Sequence, residues 1–303
     1  MHRRKYAVFF LCLSLFWTLS ACGKGEGAPS LPDTEGKLLV SVTFNAPAEF
    51  ARAVGGDKAA VSTIIPDGSE PHDFEPKAQD IRGLSAADVF IYNGLGLESW
   101  AEEAVNAAGN DRLIAVDASA GINPLPAVDE KEGGRYDPHA WLSLKCAETQ
   151  VANITAAFIK ADPDHADYYE SNCAAYTEKL EALYQEYAGK FSACGKKSFV
   201  TGHAAFAYLC RDFSMKQESV EDVFAAGEPS AKRLVTLIDY CRANNVKTIF
   251  AEQATSQEVS HTLAEEVGAK IETIYTIESE EDGKSYLVRM EDNLRKIYDS
   301  LTE

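Results

Sequence analysis

Apolar residues along this chain fall into two recurring rhythms. Short runs rich in β-branched residues predict strands: Leu38–Phe44 (LLVSVTF), Val61–Ile65 (VSTII), Asp88–Tyr92 (DVFIY) and Leu113–Val116 (LIAV). Between them, Glu49–Val54, Lys77–Leu84 and Leu97–Ala108 have helical spacing. The same alternation resumes after Cys194-Gly195, with strands at Ser198–Thr201, Val246–Ala251 and Lys270–Ile274, and helices over His203–Phe213, Ser230–Ala243, Ser256–Val267 and Tyr286–Leu301. Strand–helix alternation argues for parallel sheets covered by helices. Between the two alternating halves, Leu142–Ile159 predicts one helix, which Asp162-Pro163-Asp164 breaks. His165–Phe191 then predicts a second, roughly 27 residues and about 40 Å long. Tyr169, Cys173, Tyr176, Leu180, Leu183, Tyr184 and Tyr187 share its apolar face. A helix of that length suits a strut between two lobes. The expected organisation is an N-terminal α/β lobe over 37–162, a linking helix over 163–193 and a C-terminal α/β lobe over 194–303.

Residues 1–22 stand outside this pattern. His2-Arg3-Arg4-Lys5 is basic, Tyr6–Leu19 is apolar, and the run closes on Leu19-Ser20-Ala21-Cys22. The apolar run is shorter than the ~20 residues a membrane-spanning helix needs. It has the length and flanks of a secretory signal. Small residues before a cysteine resemble the lipobox of bacterial lipoproteins. That resemblance implies lipidation of Cys22 and a chain anchored to the membrane outside the cytoplasm. Residues 23–36 (GKGEGAPSLPDTEG) have the composition of a flexible tether.

With 303 residues the chain can bury a full core without disulfides or metal staples. Its formal charge of −18 becomes −21 once Arg3, Arg4 and Lys5 leave with the signal. A surface this acidic repels phosphate backbones and excludes nucleic acid as the expected partner. Of seven cysteines, Cys12 leaves with the signal and Cys22 takes the lipid. Cys146, Cys173, Cys194, Cys210 and Cys241 remain, none in a C-x-x-C arrangement, and read as small buried hydrophobes, with one disulfide left open. Gly94-Leu95-Gly96 lacks the rest of a dinucleotide fingerprint, and neither a P-loop nor a G-x-S-x-G elbow occurs.

The histidines carry the chemistry. His2 lies in the signal, while His165 and His261 sit in polar helical sequence and read as surface residues. His72 lies in a loop past a predicted strand of the first lobe, His139 just before a helix, and His203 directly after the strand run FVTG of the second lobe. Ligands in open α/β sheets bind beyond the carboxyl ends of strands, so these three converge on one cleft or are three unrelated histidines. Neutral imidazole suits zinc, copper, nickel or iron, whereas calcium and magnesium prefer oxygen shells. Three imidazoles plus a carboxylate make a closed tetrahedral site, and three plus water make a catalytic one. Asp137 is placed to orient His139, and Glu252 is a candidate support at the end of a second-lobe strand.

Five segments occur in order: PHDFEP (Pro71–Pro76), NGLGLESW (Asn93–Trp100), DPHAWL (Asp137–Leu142), TGHAAFAYL (Thr201–Leu209) and GEPSAKRL (Gly227–Leu234). Together they resemble the zinc- and manganese-specific solute-binding lipoproteins of bacterial ABC importers, across about residues 37–303. The resemblance implies two Rossmann-like α/β lobes joined by one long rigid helix, a metal buried between them, and no catalysis. It implies ligation by His72, His139 and His203, and histidine at this third place is similar to the zinc members. A late carboxylate completes the family's site. The segment Ile274–Leu294 aligns Glu278 there, although Tyr275-Thr276-Ile277 replaces the expected Asn-Pro-Leu and leaves Glu280 as a neighbour. Residues 121–138 hold no histidine, so the His-rich loop of many zinc members is missing. The expected function is capture of Zn²⁺, as transported ligand, and its delivery to the membrane permease of an ABC importer by a monomeric, lipid-anchored chain. The alternatives are the same scaffold serving Mn²⁺ or Fe²⁺, a three-histidine zinc hydrolase, and a metal-binding adhesin. Zinc binding is expected to fall as pH drops through about 6.5, where free imidazole protonates.

Overall fold

The computed structural model describes residues 34, 36–127, 136–224, 230–252, 257–280 and 282–303. The signal at 1–22, its Cys22 and all of the tether except Thr34 and Gly36 lie outside the described residues.

In the first lobe, β1 (Leu38–Val42), β2 (Ala59–Thr63), β3 (Val89–Tyr92) and β4 (Ile114–Asp117) form a parallel sheet in the order β2-β1-β3-β4. Central β1 and β3 are almost wholly buried because helices cover both faces. Those helices are α1 (Asn45–Gly55), the single turn α2 (Ala78–Ile81), α3 (Ala101–Ala108) and α4 (Leu144–Ala161). Lys77–Leu84, read as one helix, is in fact α2 followed by a 3-10 turn over Arg82–Ser85. After a 3-10 turn over Pro163–His165, α5 runs from Ala166 to Ala193. Its 28 residues span about 42 Å.

In the second lobe, β5 (Ser198–Thr201), β6 (Lys216–Ser219), β7 (Thr248–Glu252) and β8 (Lys270–Ile274) pair in parallel as β6-β5-β7-β8. This is the strand order of the first lobe, repeated without obvious sequence identity. Strand β6 was not foreseen. Its sequence, KQES, carries no apolar residue, and it lies at the edge of the sheet, where charged side chains cost nothing and discourage pairing with another chain. Helix α6 (Ala207–Phe213) begins four residues later than expected. The His203 carbonyl, which would open a helical ladder, instead accepts from Thr201 Oγ1 (2.6 Å) and Gln217 Nε2 (2.7 Å). The remaining helices are α7 (Ala231–Ala243), α8 (Glu258–Val267) and α9 (Tyr286–Thr302).

One hydrophobic core runs through both lobes along α5. Tyr176 meets Phe50 of α1, Tyr184 stacks on Phe213 of α6 at 5.2 Å, and Phe191 packs against Phe213. Helix α9 returns toward the first lobe, with the Tyr286 ring 4.7 Å from Phe50 and its hydroxyl donating to the Trp141 carbonyl. Cys146, Cys173, Cys194, Cys210 and Cys241 are all free thiols, and all but Cys173 are buried.

Candidate metal centre

In each sheet the strand order reverses beside the first strand, which opens a crevice at the carboxyl ends. Three histidines enter it. His72 sits in a 3-10 turn over Pro71–Asp73, where Pro71 pre-sets the first φ and Glu70 Oε1 accepts the His72 N–H. His139 precedes the turn leading into α4. Asp137 Oδ1 accepts both the His139 backbone N–H (2.9 Å) and its ring Nδ1 (2.8 Å). The Nδ1 proton is thereby fixed and the Nε2 lone pair faces the crevice. His203 follows β5, its backbone N–H donating to Glu252 Oε1 at 3.1 Å. Glu252 thus supports this histidine as foreseen. It packs so closely that a Cβ on Gly202 would lie 2.3 Å from its Oε2. The ring Nε2 of His203 lies 3.1 Å from the Val223 carbonyl. As a donor there it leaves Nδ1, buried and without a hydrogen-bond partner among the described residues, with its lone pair.

The three rings converge. The Nε2 atoms of His72 and His139 are 3.1 Å apart, and ring centroids of His139 and His203 are 4.7 Å apart. One donor atom from each lies within 4.8 Å of the others. His139 and His203 are wholly buried, and burial drives both imidazoles down to about 3; His72 is pushed well below 6.5, first by burial and then by the other two rings. Burial pushes the Asp137 carboxyl up to about 7. The rings are therefore neutral at physiological pH, the ligating form. Binding is not expected to begin failing near pH 6.5, as the unperturbed imidazole value suggested, because desolvation moves protonation far lower.

The fourth residue, Glu278, is also there, and it is 5 % exposed. Its Oε1 lies 4.0 Å from His139 Nε2, and Thr276 Oγ1 donates to its Oε2 at 2.9 Å. Glu280, the neighbour, is exposed, its backbone N–H held by Asp67. The carboxylate is delivered by a turn after β8 in which Ile277 takes φ +61°, a left-handed conformation costly for a β-branched residue. The turn is held in that shape by the first lobe. Asn45 N–H donates to the Glu278 carbonyl, Asn45 Nδ2 to the Ser279 carbonyl, Gly68 N–H to Ser279 Oγ and Trp141 Nε1 to the Thr276 carbonyl. Buried Arg289 of α9 closes it from behind on the Ser279 carbonyl and Asp282. By sequence Glu278 belongs to the second lobe, but by contact it stands with His72 and His139 on the first.

Sequence reasoning missed the support beneath His139. Asn93 Nδ2 donates to the Pro138 carbonyl, Gln150 Nε2 donates to Asn93 Oδ1, and Glu98 accepts from the N–H groups of Asn93 and Gly94 and from Thr43. Burial pushes Glu98 up to about 7. Asn93, Gly94 and Glu98 lie within NGLGLESW, where polar types in an otherwise buried strand-end loop were the available signal; Thr43 after β1 and Gln150 on α4 carried none. The two excluded histidines lie elsewhere: His165 pairs with Asp162 at the start of α5, and His261 is exposed on α8.

Three neutral nitrogens and one carboxylate oxygen match the donor set and number of a closed tetrahedral zinc centre, with net charge +1 once a dication is bound. Residues 40–300 match the family described as ZnuA, zinc-uptake complex component A, periplasmic. A protein of Treponema pallidum (strain Nichols) named for metal binding is 46% identical over 273 residues, 86% of each chain. The high-affinity zinc uptake system protein ZnuA of Bacillus subtilis (strain 168) is 36% identical over 98% of each chain. Among solved structures, the metal-dependent lipoprotein YcdH from Bacillus subtilis superposes with TM-score 0.77 at 38% identity, covering 88% of this chain and 100% of that one.

Proposed function

The chain belongs to the zinc-uptake component A family, and from that premise we propose that it captures Zn²⁺ outside the cytoplasm and delivers it to the membrane permease of an ABC importer. The ion is held by His72, His139, His203 and Glu278. The observation that carries this reading is the convergence of three buried imidazoles, kept neutral by desolvation, beside a buried carboxylate. Zinc prefers such a nitrogen-rich tetrahedral set, while manganese and magnesium favour more oxygens and higher coordination. A protein carboxylate in the fourth position leaves no site for an activated water, which sets the reading against hydrolysis. The chain acts as a monomer that binds and releases its cargo unchanged, tethered through 23–36 by lipid on Cys22.

Elemental analysis of the purified protein, with competitive zinc and manganese titration, tests the proposal. One zinc per chain that manganese cannot displace at hundredfold excess is the expected result. Preferential manganese loading, or no metal, overturns it.

A further inference from the structure

Glu70 takes no part in the four-donor set, yet it stands beside it. Its Oε1 lies 3.9 Å from His72 Nε2, and one donor atom each from Glu70, His72 and Glu278 fall within 4.8 Å of one another, the same closeness as the three imidazoles. This group shares His72 and Glu278 with the four-donor set. Side-chain exposure falls from 28% at Glu70 to 4% at His72, 3% at Glu278 and 0% at His139, so the donors are graded from solvent inward. From the second lobe, Glu221 and Asp222 follow β6, and Glu221 is pushed up to about 6, first by burial and then by the carboxylates of Asp222 and Glu70. The mouth is therefore acidic on both sides.

Resting on the zinc-capture reading, we infer that Glu70, His72 and Glu278 form an outer transit site through which the ion enters and leaves the inner centre. Shedding the hydration shell of a dication in a partly dry mouth is costly unless the charge is offset there. Two carboxylates and one imidazole offset it fully, whereas the inner set leaves a net +1. Because His72 and Glu278 serve both sets, the ion advances by exchanging Glu70 for His139 and His203 while two ligands stay in place.

The test is the kinetics of zinc uptake by the purified protein and of zinc loss to excess chelator. A residue on the path changes both directions together. Glu70→Gln is expected to slow both by about tenfold, with the Kd moving far less, as losing a focusing carboxylate implies. Glu75→Gln, which removes an exposed carboxylate of the same loop, should alter neither rate more than about twofold. Rates unchanged in Glu70→Gln, an equal slowing in Glu75→Gln, or a Kd weakened as much as by His72→Ala each overturns the transit site while leaving zinc capture intact. A wild-type protein that takes up no zinc overturns both.

Discussion

The two sides of the cleft contribute unequally to the centre. The first-lobe side presents His72, His139 and Glu278: His139 is braced by buried hydrogen bonds to Asp137, the Glu278 turn by bonds from Asn45 and Trp141, and His72 by its backbone N–H to Glu70 Oε1. Among the described residues, the second lobe presents His203 alone, braced by Glu252, Gln217 and Val223. The same strand order underlies both lobes. The asymmetry comes from the turn after β8, which crosses over and docks its carboxylate on the other side. A half-site of two imidazoles and a carboxylate is thus already assembled on one side, and His203 closes it. Withdrawing His203 alone would leave a three-donor site, a simple route from tight holding to release.

The widest separation is expected between His139→Ala and His203→Ala. Structural zinc binds with about 10–16 kcal/mol over four ligands, so one donor is worth about 3 kcal/mol, roughly 10²-fold in affinity. His203→Ala should lose about that much and still bind zinc. His139→Ala should lose about tenfold more, because it also strands the buried Asp137 carboxyl. Equal losses by competitive titration would remove the asymmetry.

The next effect is in pH. Folded His139 and His203 protonate only near 3, so protonation of these two rings should cost zinc affinity less than about tenfold between pH 7 and 5. Three unperturbed imidazoles would cost about 10⁴-fold by pH 5. In the metal-free protein the unfolded chain binds more protons at these residues between about 3 and 6.5. Their contribution to stability is full above 6.5 and is lost as pH falls toward 3. Glu98, raised to about 7, works the other way, its contribution fading as pH rises through 7. Zinc titrations and denaturant melts across pH check both.

The smallest effect is expected from Trp141→Phe. It removes the indole N–H from the Thr276 carbonyl at the base of the crossing turn. A buried unsatisfied carbonyl costs about 1–3 kcal/mol. The melting temperature should fall by several degrees and zinc affinity by less than about tenfold. A loss of affinity as large as that of Glu278→Ala would show that this one bond, not the whole turn, positions the carboxylate.

Much of this was legible because burial on both faces writes a strand as an apolar run, as in VFIY of β3 and TIFA of β7. Strand β6 was illegible for the converse reason: an edge strand needs no apolar residues. The convergence of His72, His139 and His203 was legible from their loop positions and surrounding words. The crossing of Glu278 to the first lobe was not. It depends on hydrogen bonds from Asn45, Gly68 and Trp141, more than 130 residues away in sequence, and on a left-handed Ile277 that no local propensity favours. Glu70 was not legible because Pro71 separates it from His72, whereas the 3-10 turn sets its Oε1 3.9 Å from His72 Nε2.

X-ray absorption spectroscopy at the zinc edge, on wild-type protein and His203→Ala, tests the asymmetry most directly. The wild type should show three imidazole nitrogens at about 2.0–2.1 Å and one carboxylate oxygen at about 2.0–2.2 Å. His203→Ala should retain zinc with two imidazoles, the same carboxylate oxygen and one water. A wild-type centre without the carboxylate, or a His203→Ala protein that holds no zinc, would contradict a half-site assembled on the first lobe.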